Sequence, residues 1–410
     1  MRVLLVHNSY QQHGGEDAVV SQEKSLLERA GHEVTLYLRS NTEIKNYSPG
    51  ARLGLAVRSV WARDSRRDVA RLLREHKPNV VHVHNTFVVL SPSIYSVCRD
   101  NGIPVVQTLH NYRLLCPAAS LFRNGEVCEE CVNQSLWRAV RHGCYHDRRV
   151  ESAAVALMLA LHRRLGTWTK DITCYIAISD FVREKFVAAG FPQHQISVKP
   201  NFVHPDPCPD SRHSNSSRNY AMFAGRLSPE KGVRSLLAAW QHLKTSIPLV
   251  IIGDGPERAR LEHTAKELRL SSVRFRGSLS HAETLAAMKG ARFLVFPSVW
   301  AEPFGLTIIE AMACRTPIIC SRLGAPCSIV EEGRTGLHFN AGDAGDLADK
   351  VTWAWDRPDQ MRSMGKAARA EYERMYTAEK NYPILMRIYD SACESRNAAG
   401  QLEVVPAVRP

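Results

Sequence analysis

The chain has 410 residues, 44% of them hydrophobic and 23% charged. At about 100–200 residues per domain this gives two or three globular domains and excludes disordered, collagen-like and mucin-like classes. The net charge of +12 is uneven, with +8 in residues 1–200 and +4 in 201–410; nucleic acid, an anionic membrane surface and phosphorylated substrates all remain open as partners.

Met1–His7 reads as a first strand rather than a signal segment. The longest apolar run, Ala153–Leu161, is nine residues, against about 20 for a spanning helix. A cytoplasmic location is therefore expected, with the eleven cysteines as reduced thiols or metal ligands. After strand Val3–Val6 comes a helix carrying Val19, Leu26, Leu27 and Ala30 on one face, ended by Gly31. Strands are predicted at Val34–Leu38, Val80–Val83, Val105–Thr108 and Ile176–Ile178. The polar Pro/Ser-rich stretch 201–219 reads as a linker. A second alternation follows, with strands at Ala221–Ala224, Leu249–Ile252, Val273–Phe275, Phe293–Phe296 and Pro317–Cys320. Helices are predicted at Val233–Leu243, Glu257–Leu268, Ala282–Met288 and Leu306–Ala313. This is α/β: two doubly wound domains, with a cleft between them as the expected ligand site.

Three loops carry the chemistry. In Glu302-Pro-Phe-Gly-Leu-Thr-Ile-Ile-Glu310, Pro303 and Gly305 fit a turn into a helix. Glu302 then sits in the loop and Glu310 about two turns into the helix. The amides of Phe304, Gly305 and Leu306 at the helix start favour an anion. A solvated helix with two surface glutamates is the plain alternative, but Ile308, Ile309, Ala311 and Ala313 make the helix largely apolar. The loop Gly225-Arg-Leu-Ser-Pro-Glu-Lys-Gly232 places Arg226 and Lys231 at a strand end, where two cations can neutralise a diphosphate leaving group. Alone, it fits an ordinary loop with a Ser228-Pro229 helix cap equally well. The third, His13-Gly-Gly-Glu-Asp17, lets backbone approach a ligand. It lacks the full Gly-x-Gly-x-x-Gly dinucleotide fingerprint.

Together these loops resemble glycosyltransferase family 4, retaining enzymes of the GT-B fold. The similarity runs over roughly residues 1–390 and includes Gly31-His-Glu-Val34, Pro78–His84, Thr108-Leu-His-Asn111, Gly253-Asp-Gly-Pro256, Val273–Gly277 and Pro297-Ser298. The resemblance implies that Glu310 accepts hydrogen bonds from a nucleotide ribose and that Glu302 contacts the transferred sugar. Arg226 and Lys231 would hold the diphosphate, the Phe304–Leu306 amides would bind phosphate or sugar, and Arg276 would border the base. His110 would lie near the reacting centre and Gly15 by the diphosphate; without the resemblance, His110 reads as a structural residue at a strand end. No Asp-x-Asp motif is present, so no catalytic metal is expected. The implied activity is transfer of a hexose, mannose or glucose, to a glycan or lipid-linked acceptor in exopolysaccharide, capsule or lipopolysaccharide assembly. A GT-B sugar-nucleotide epimerase and a non-catalytic nucleotide-sugar-binding protein are the alternatives.

The expected domains are an acceptor domain at 1–200 with a Cys-rich insert at about 112–147, the linker 201–219, a nucleotide-sugar domain at 220–380, and a helix and tail at 381–410 returning to the first domain. That helix is predicted over about Tyr372–Cys393. Cys116, Cys128, Cys131 and Cys144 follow C-x11-C-x2-C-x12-C, a spacing that would close a structural Zn²⁺ site or leave separate reduced thiols. The basic stretch 52–77 interleaves seven Lys/Arg from Arg58 to Lys77 with Leu53, Leu55, Val57, Val60 and Trp61. It would dock on an anionic bilayer as a peripheral element, or form a solvated face supported by Asp64, Asp68 and Glu75. No nucleic-acid motif accompanies the charge.

Overall fold

The computed structural model describes residues 1–11, 14–48, 54–209 and 219–403. His13, Leu53 and residues 210–218 of the expected linker lie outside them. Met1–Leu121, Cys128–Pro200 and Asn381–Pro410 form one compact unit; Phe122–Val127 and Asn201–Lys380 form the other.

In the first unit the strands are β1 (Arg2–Ser9), β2 (Glu33–Ser40), β3 (Val80–Val83), β4 (Val105–Leu109), β7 (Cys174–Ala177) and β8 (Ile196–Val198). They form an all-parallel sheet in the order β2-β1-β3-β4-β7-β8. The short pair β5 (Phe122–Arg123) and β6 (Glu126–Val127) is a separate antiparallel hairpin. Continuous β-branched runs such as Val80–Val83 suit strands buried on both faces. Val3, Leu5, Val80, Val106 and Ile176 pack with Leu27 and with Leu385, Ile388 and Tyr389 of the C-terminal helix Ala378–Glu403. Each such side chain, fully buried, contributes about 1.5–3 kcal/mol.

The second unit repeats the plan with β9 (Ala221–Ala224), β10 (Leu249–Ile252), β11 (Val273–Gly277), β12 (Phe293–Phe296), β13 (Ile318–Ser321) and β14 (Gly336–Phe339). The parallel order is β11-β10-β9-β12-β13-β14. Both sheets change direction of strand order beside their first strand, which opens the site at the carboxyl ends of the strands.

Three expectations change. Residues 201–209 are not linker: Phe202, Val203 and Cys208 are buried, the Val203 amide donates to the Tyr376 carbonyl at 3.0 Å, and Arg369 grips both oxygens of Asp206 at 2.6 and 2.8 Å. Tyr372 belongs to the preceding helix, Pro358–Met375, where its hydroxyl donates to the Val203 carbonyl; the last helix begins only at Ala378. The helix Arg63–His76 turns Val69 and Leu73 into the core, and Asp64 holds Arg58 at 2.6 Å. It therefore presents no apolar face for a bilayer; in the stretch 52–77 the exposed large apolar side chains among the described residues are Val57 and Trp61. No helix among the described residues is long and apolar enough to cross a membrane.

Candidate active site

In the second unit the loop after β9 and the loop after β12 are fastened to each other. The Val299 amide donates to the Glu230 carbonyl at 2.9 Å. Gly232 is left-handed at φ 68°, and a Cβ there would lie 1.9 Å from the Pro297 carbonyl oxygen. Only glycine permits this approach, and it brings Lys231 to Glu302. Lys231 Nζ donates to Glu302 Oε1 at 2.6 Å, and Ser298 Oγ donates to the same oxygen at 2.7 Å. The ammonium also lies over the Trp300 ring, 5.6 Å from its centroid. Glu302 is buried, and a buried carboxylate persists only when paired. It is thus a held anion that positions Lys231, with one oxygen committed, rather than a free nucleophile.

Arg226 stands exposed on the same loop as Lys231, and its guanidinium makes no hydrogen bond or ion pair among the described residues. Leu227 donates to the Asp254 carbonyl at 2.9 Å, and Gly253 fits only because a Cβ there would meet the Gly225 carbonyl at 1.9 Å. The Gly225 loop is thereby stacked on the Gly253-Asp-Gly-Pro256 loop.

Gly305 at φ 103° begins the helix Leu306–Ala313, whose first amides have no partner further along the helix. The Phe304 side chain is core, edge-on to Tyr376, so only its amide remains for a ligand. Glu310 receives His281 Nε2 at 2.9 Å, and that hydrogen bond raises the His281 pKa. His281 opens the helix His281–Gly290 behind the Ser280/Glu283 capping box; the box is legible in the sequence, its link to Glu310 is not. Arg276 is exposed on the edge strand β11.

His110 and Gly15 lie in the first unit. Gly15 opens the helix Gly15–Arg29, whose Asp17 accepts from the Gly14 amide at 2.8 Å and bonds His7 at 2.9 Å. The neighbouring Glu16 takes Asn111 Nδ2 at 2.6 Å. His110 follows β4 and meets His84 Nδ1 at 2.9 Å. Behind it lies a buried cluster the sequence does not announce. Glu23 Oε1 pairs with Lys199 Nζ at 2.6 Å, Asn381 Oδ1 accepts from the same ammonium, and His82 is held by Thr108 and Tyr389. Glu23, His82 and His84 are close enough to share a metal ion. The Lys199 ammonium on Glu23 already supplies the positive charge, so the set does not fit a second cation. A cavity of about 40 Å³ beside His84 and His110 has room for one water, not a sugar.

Burial lowers the pKa of His82 and His84 and takes His110 down to about 3. His110 is therefore neutral near pH 7. The unfolded chain binds protons near pH 6.5 that these folded histidines refuse. Stability is thus full above about pH 6.5 and falls below it, each histidine contributing up to about 1.4 kcal/mol per pH unit. Melting temperature measured at constant ionic strength should fall from pH 6.5 to 4.5, and more gently in His110→Gln. A flat profile would contradict the burial argument.

Cys131 lies beside Cys116 and within electrostatic reach of Cys144, but the four sulphurs do not close into one zinc-sized cluster. The thiols of Cys116 and Cys131 share a hydrogen bond, which brings Cys116 down to about 6 against its burial. No three of the four sulphurs lie within 4.8 Å of one another. Sulphurs each about 2.3 Å from one zinc lie within about 4.6 Å of each other. Cys128 and Cys144 are anchored by their amides to the Leu121 and Ala139 carbonyls, in separate turns, and the set as placed does not fit the ion.

Residues 209–371 match the family described as Glycosyl transferases group 1, and residues 14–201 match the Glycosyl transferase 4-like domain. The phosphatidyl-myo-inositol mannosyltransferase of Mycobacterium leprae is 30% identical over 259 residues, 61% of this chain and 67% of that protein. The chain belongs to glycosyltransferase family 4. This family 4 glycosyltransferase is also 31% identical over 301 residues to the glycogen synthase of Mycobacterium tuberculosis, a match spanning 72% of the chain but 64% of that relative's length. Among solved structures, Anabaena HepE in complex with UDP superposes with TM-score 0.65 at 18% identity, covering 95% of this chain and 100% of that one. The sucrose-phosphate synthase of Thermosynechococcus elongatus gives 0.67 at 19% identity, covering 98% of each chain. At these identities the likeness fixes the fold, which is GT-B.

Proposed function

We propose that the enzyme is a retaining transferase that moves a hexose from a nucleoside-diphosphate sugar to a glycan or lipid-linked acceptor in cell-surface polysaccharide synthesis. The observation that carries this reading is the Lys231–Glu302–Ser298 arrangement beside the unpaired Arg226. Two cations stand at one strand end, one of them pre-aimed by a buried carboxylate. That is the electrostatic requirement for a diphosphate that gains charge as it leaves. The names of relatives agree in class: an O-antigen chain mannosyltransferase of Escherichia coli is 27% identical over 181 residues. HepE has been solved with UDP-glucose.

In this reading Arg226 and Lys231 hold the diphosphate, helped by the amides of Phe304–Leu306. Glu302 receives sugar hydroxyls on its second oxygen. Glu310 receives the ribose and Arg276 borders the base, and the family resemblance assigns His110 and Gly15 to the reacting centre and the diphosphate. The glycosidic C–O bond breaks with its electron pair going to the diphosphate. The acceptor hydroxyl bonds to the same face of the sugar carbon, and a phosphate oxygen takes its proton. The protein contributes position and charge.

His281 holds Glu310 through its Nε2, so a ribose must displace or share that contact. Glu310→Ala should weaken donor affinity about 10–100-fold, the range of a hydrogen bond to a charged group, read by calorimetry. His281→Ala should leave affinity unchanged or tighter. Equal affinity in Glu310→Ala and wild type would remove the ribose role.

A further inference from the structure

Most of the large apolar side chains left exposed on the described surface lie on neighbouring helices of the first unit. They are Val57, Trp61, Trp137, Val150, Leu157, Leu161 and Leu165. The helix Arg149–Leu165 packs against both Leu55–Val60 and Trp137–His142. His162 fastens the first of these, with Nε2 at 2.9 Å from the Val60 carbonyl and its ring stacked on Trp61.

The helix Arg149–Leu165 is apolar on two sides. Val155, Ala156, Met158 and Leu159 are buried in the unit. Val150, Leu157, Leu161 and Leu165 point the other way, within an arc of about 80° and along about 22 Å of helix. Val150 is 83% exposed and Leu157 53%. A helix that is apolar beyond its packed face has a second apolar environment to meet.

Charge says which. Residues 137–170 hold seven Lys/Arg and two Asp/Glu. Arg148, Arg149, Arg163, Arg164 and Lys170 are exposed, at the two ends of the stripe. A second copy of the chain placed on this face would oppose two clusters of like charge. A bilayer rich in anionic headgroups offers the complement to both features: acyl chains for the leucines and phosphates for the arginines. Trp61 and Trp137 are the residues suited to the boundary between them.

We infer that this face docks the enzyme on an anionic membrane surface, through the helix Arg149–Leu165 with Trp61 and Trp137, and not through Arg63–His76. The inference deepens the proposed function by naming the surface that would present the enzyme to a lipid-linked acceptor.

The test is co-sedimentation of the full chain with vesicles of phosphatidylcholine containing phosphatidylglycerol, and with phosphatidylcholine alone. The protein should sediment with the anionic vesicles, less so as salt rises. Leu157→Glu/Leu161→Glu should lower the partition coefficient at least about tenfold. Arg149→Glu/Arg164→Glu should remove the preference for anionic lipid. Both leucines are exposed, so the melting temperature of that double variant should match wild type, which separates lost docking from lost folding. Wild type that stays in solution with anionic vesicles at low salt would overturn the inference, as would undiminished binding by the leucine variant. So would a concentration-dependent dimer, seen by light scattering, that the leucine variant abolishes. Donor affinity measured on the same samples involves none of the residues of the docking face, so failure there is distinct from failure here.

Discussion

Lys231→Ala should lower kcat by about 10²–10³-fold, the loss typical of removing one preorganised stabiliser of developing charge. Donor affinity should change much less, because the lysine acts chiefly on charge that appears as the diphosphate departs. The ammonium is fixed before any ligand arrives, by Glu302 Oε1 at 2.6 Å and by the Trp300 and Phe296 rings. Such fixing means little reorganisation at the moment of reaction. The substitution has a second effect that must be separated from the first. It leaves the buried Glu302 with the Ser298 hydroxyl and no cation, which destabilises the unit. Rates are therefore compared at a temperature where the variant's circular dichroism is that of wild type. Lys231→Arg, which keeps the charge but not the shape, should recover part of the rate. A fully folded Lys231→Ala enzyme with wild-type kcat would contradict the leaving-group role.

The second large effect is on stability. Glu23 and Lys199 are 0% and 1% exposed and 176 residues apart in sequence. Burial alone would raise the Glu23 carboxyl; the Lys199 ammonium outweighs it and leaves it below the ordinary range. Glu23→Gln removes the anion and strands a buried ammonium, and Lys199→Met does the reverse. Each should cost about 3–5 kcal/mol, lowering the melting temperature by about 6–20 °C for a domain of this size. The double variant Glu23→Leu/Lys199→Met should be more stable than either single one, because no uncompensated charge remains. Single variants within about 1 kcal/mol of wild type would show that water reaches the pair. Asn381, at the start of the returning helix segment, also accepts from Lys199 and donates to the Pro200 carbonyl. The ion pair therefore ties the last helix to the first unit as well as supporting His84 and His110.

Strands β3, β9, β10 and β12 and the helix Leu306–Ala313 fall where the apolar runs place them. Each is a short block of β-branched or aliphatic residues bounded by turn residues, so the signal is local. Strand β8 (Ile196–Val198) is three residues long, and β14 (Gly336–Phe339) carries Gly336 and His338; neither stands out from a loop. The last helix runs through Pro383, a residue that breaks the local helix signal, and its start at Ala378 lies later than the pattern places it. At the site, Glu302 and Lys231 are both legible from their motifs. Ser298 appears only as half of Pro297-Ser298, and His281 falls just outside the predicted helix Ala282–Met288. The Glu23–Lys199 pair and its histidines leave no local trace. Their energy comes from contacts across the sheet, and nothing within ten residues of either partner signals it. The stripe Val150–Leu165 is likewise hidden, because a buried helix and a surface-docking one share the same apolar composition until the fold shows which side is left open.

Binding of a nucleoside-diphosphate sugar to the second unit through the Lys231 and Glu310 loops underlies every role proposed above. Its most direct test is a thermal titration of the purified chain with a panel of UDP-, GDP- and ADP-sugars, run beside Glu310→Ala. One base should stabilise wild type saturably, by about 2.7 kcal/mol at a hundred times its Kd, and the curve for the variant should move to higher concentration. A folded wild-type protein that no nucleotide sugar stabilises, or a variant that titrates identically, would contradict it.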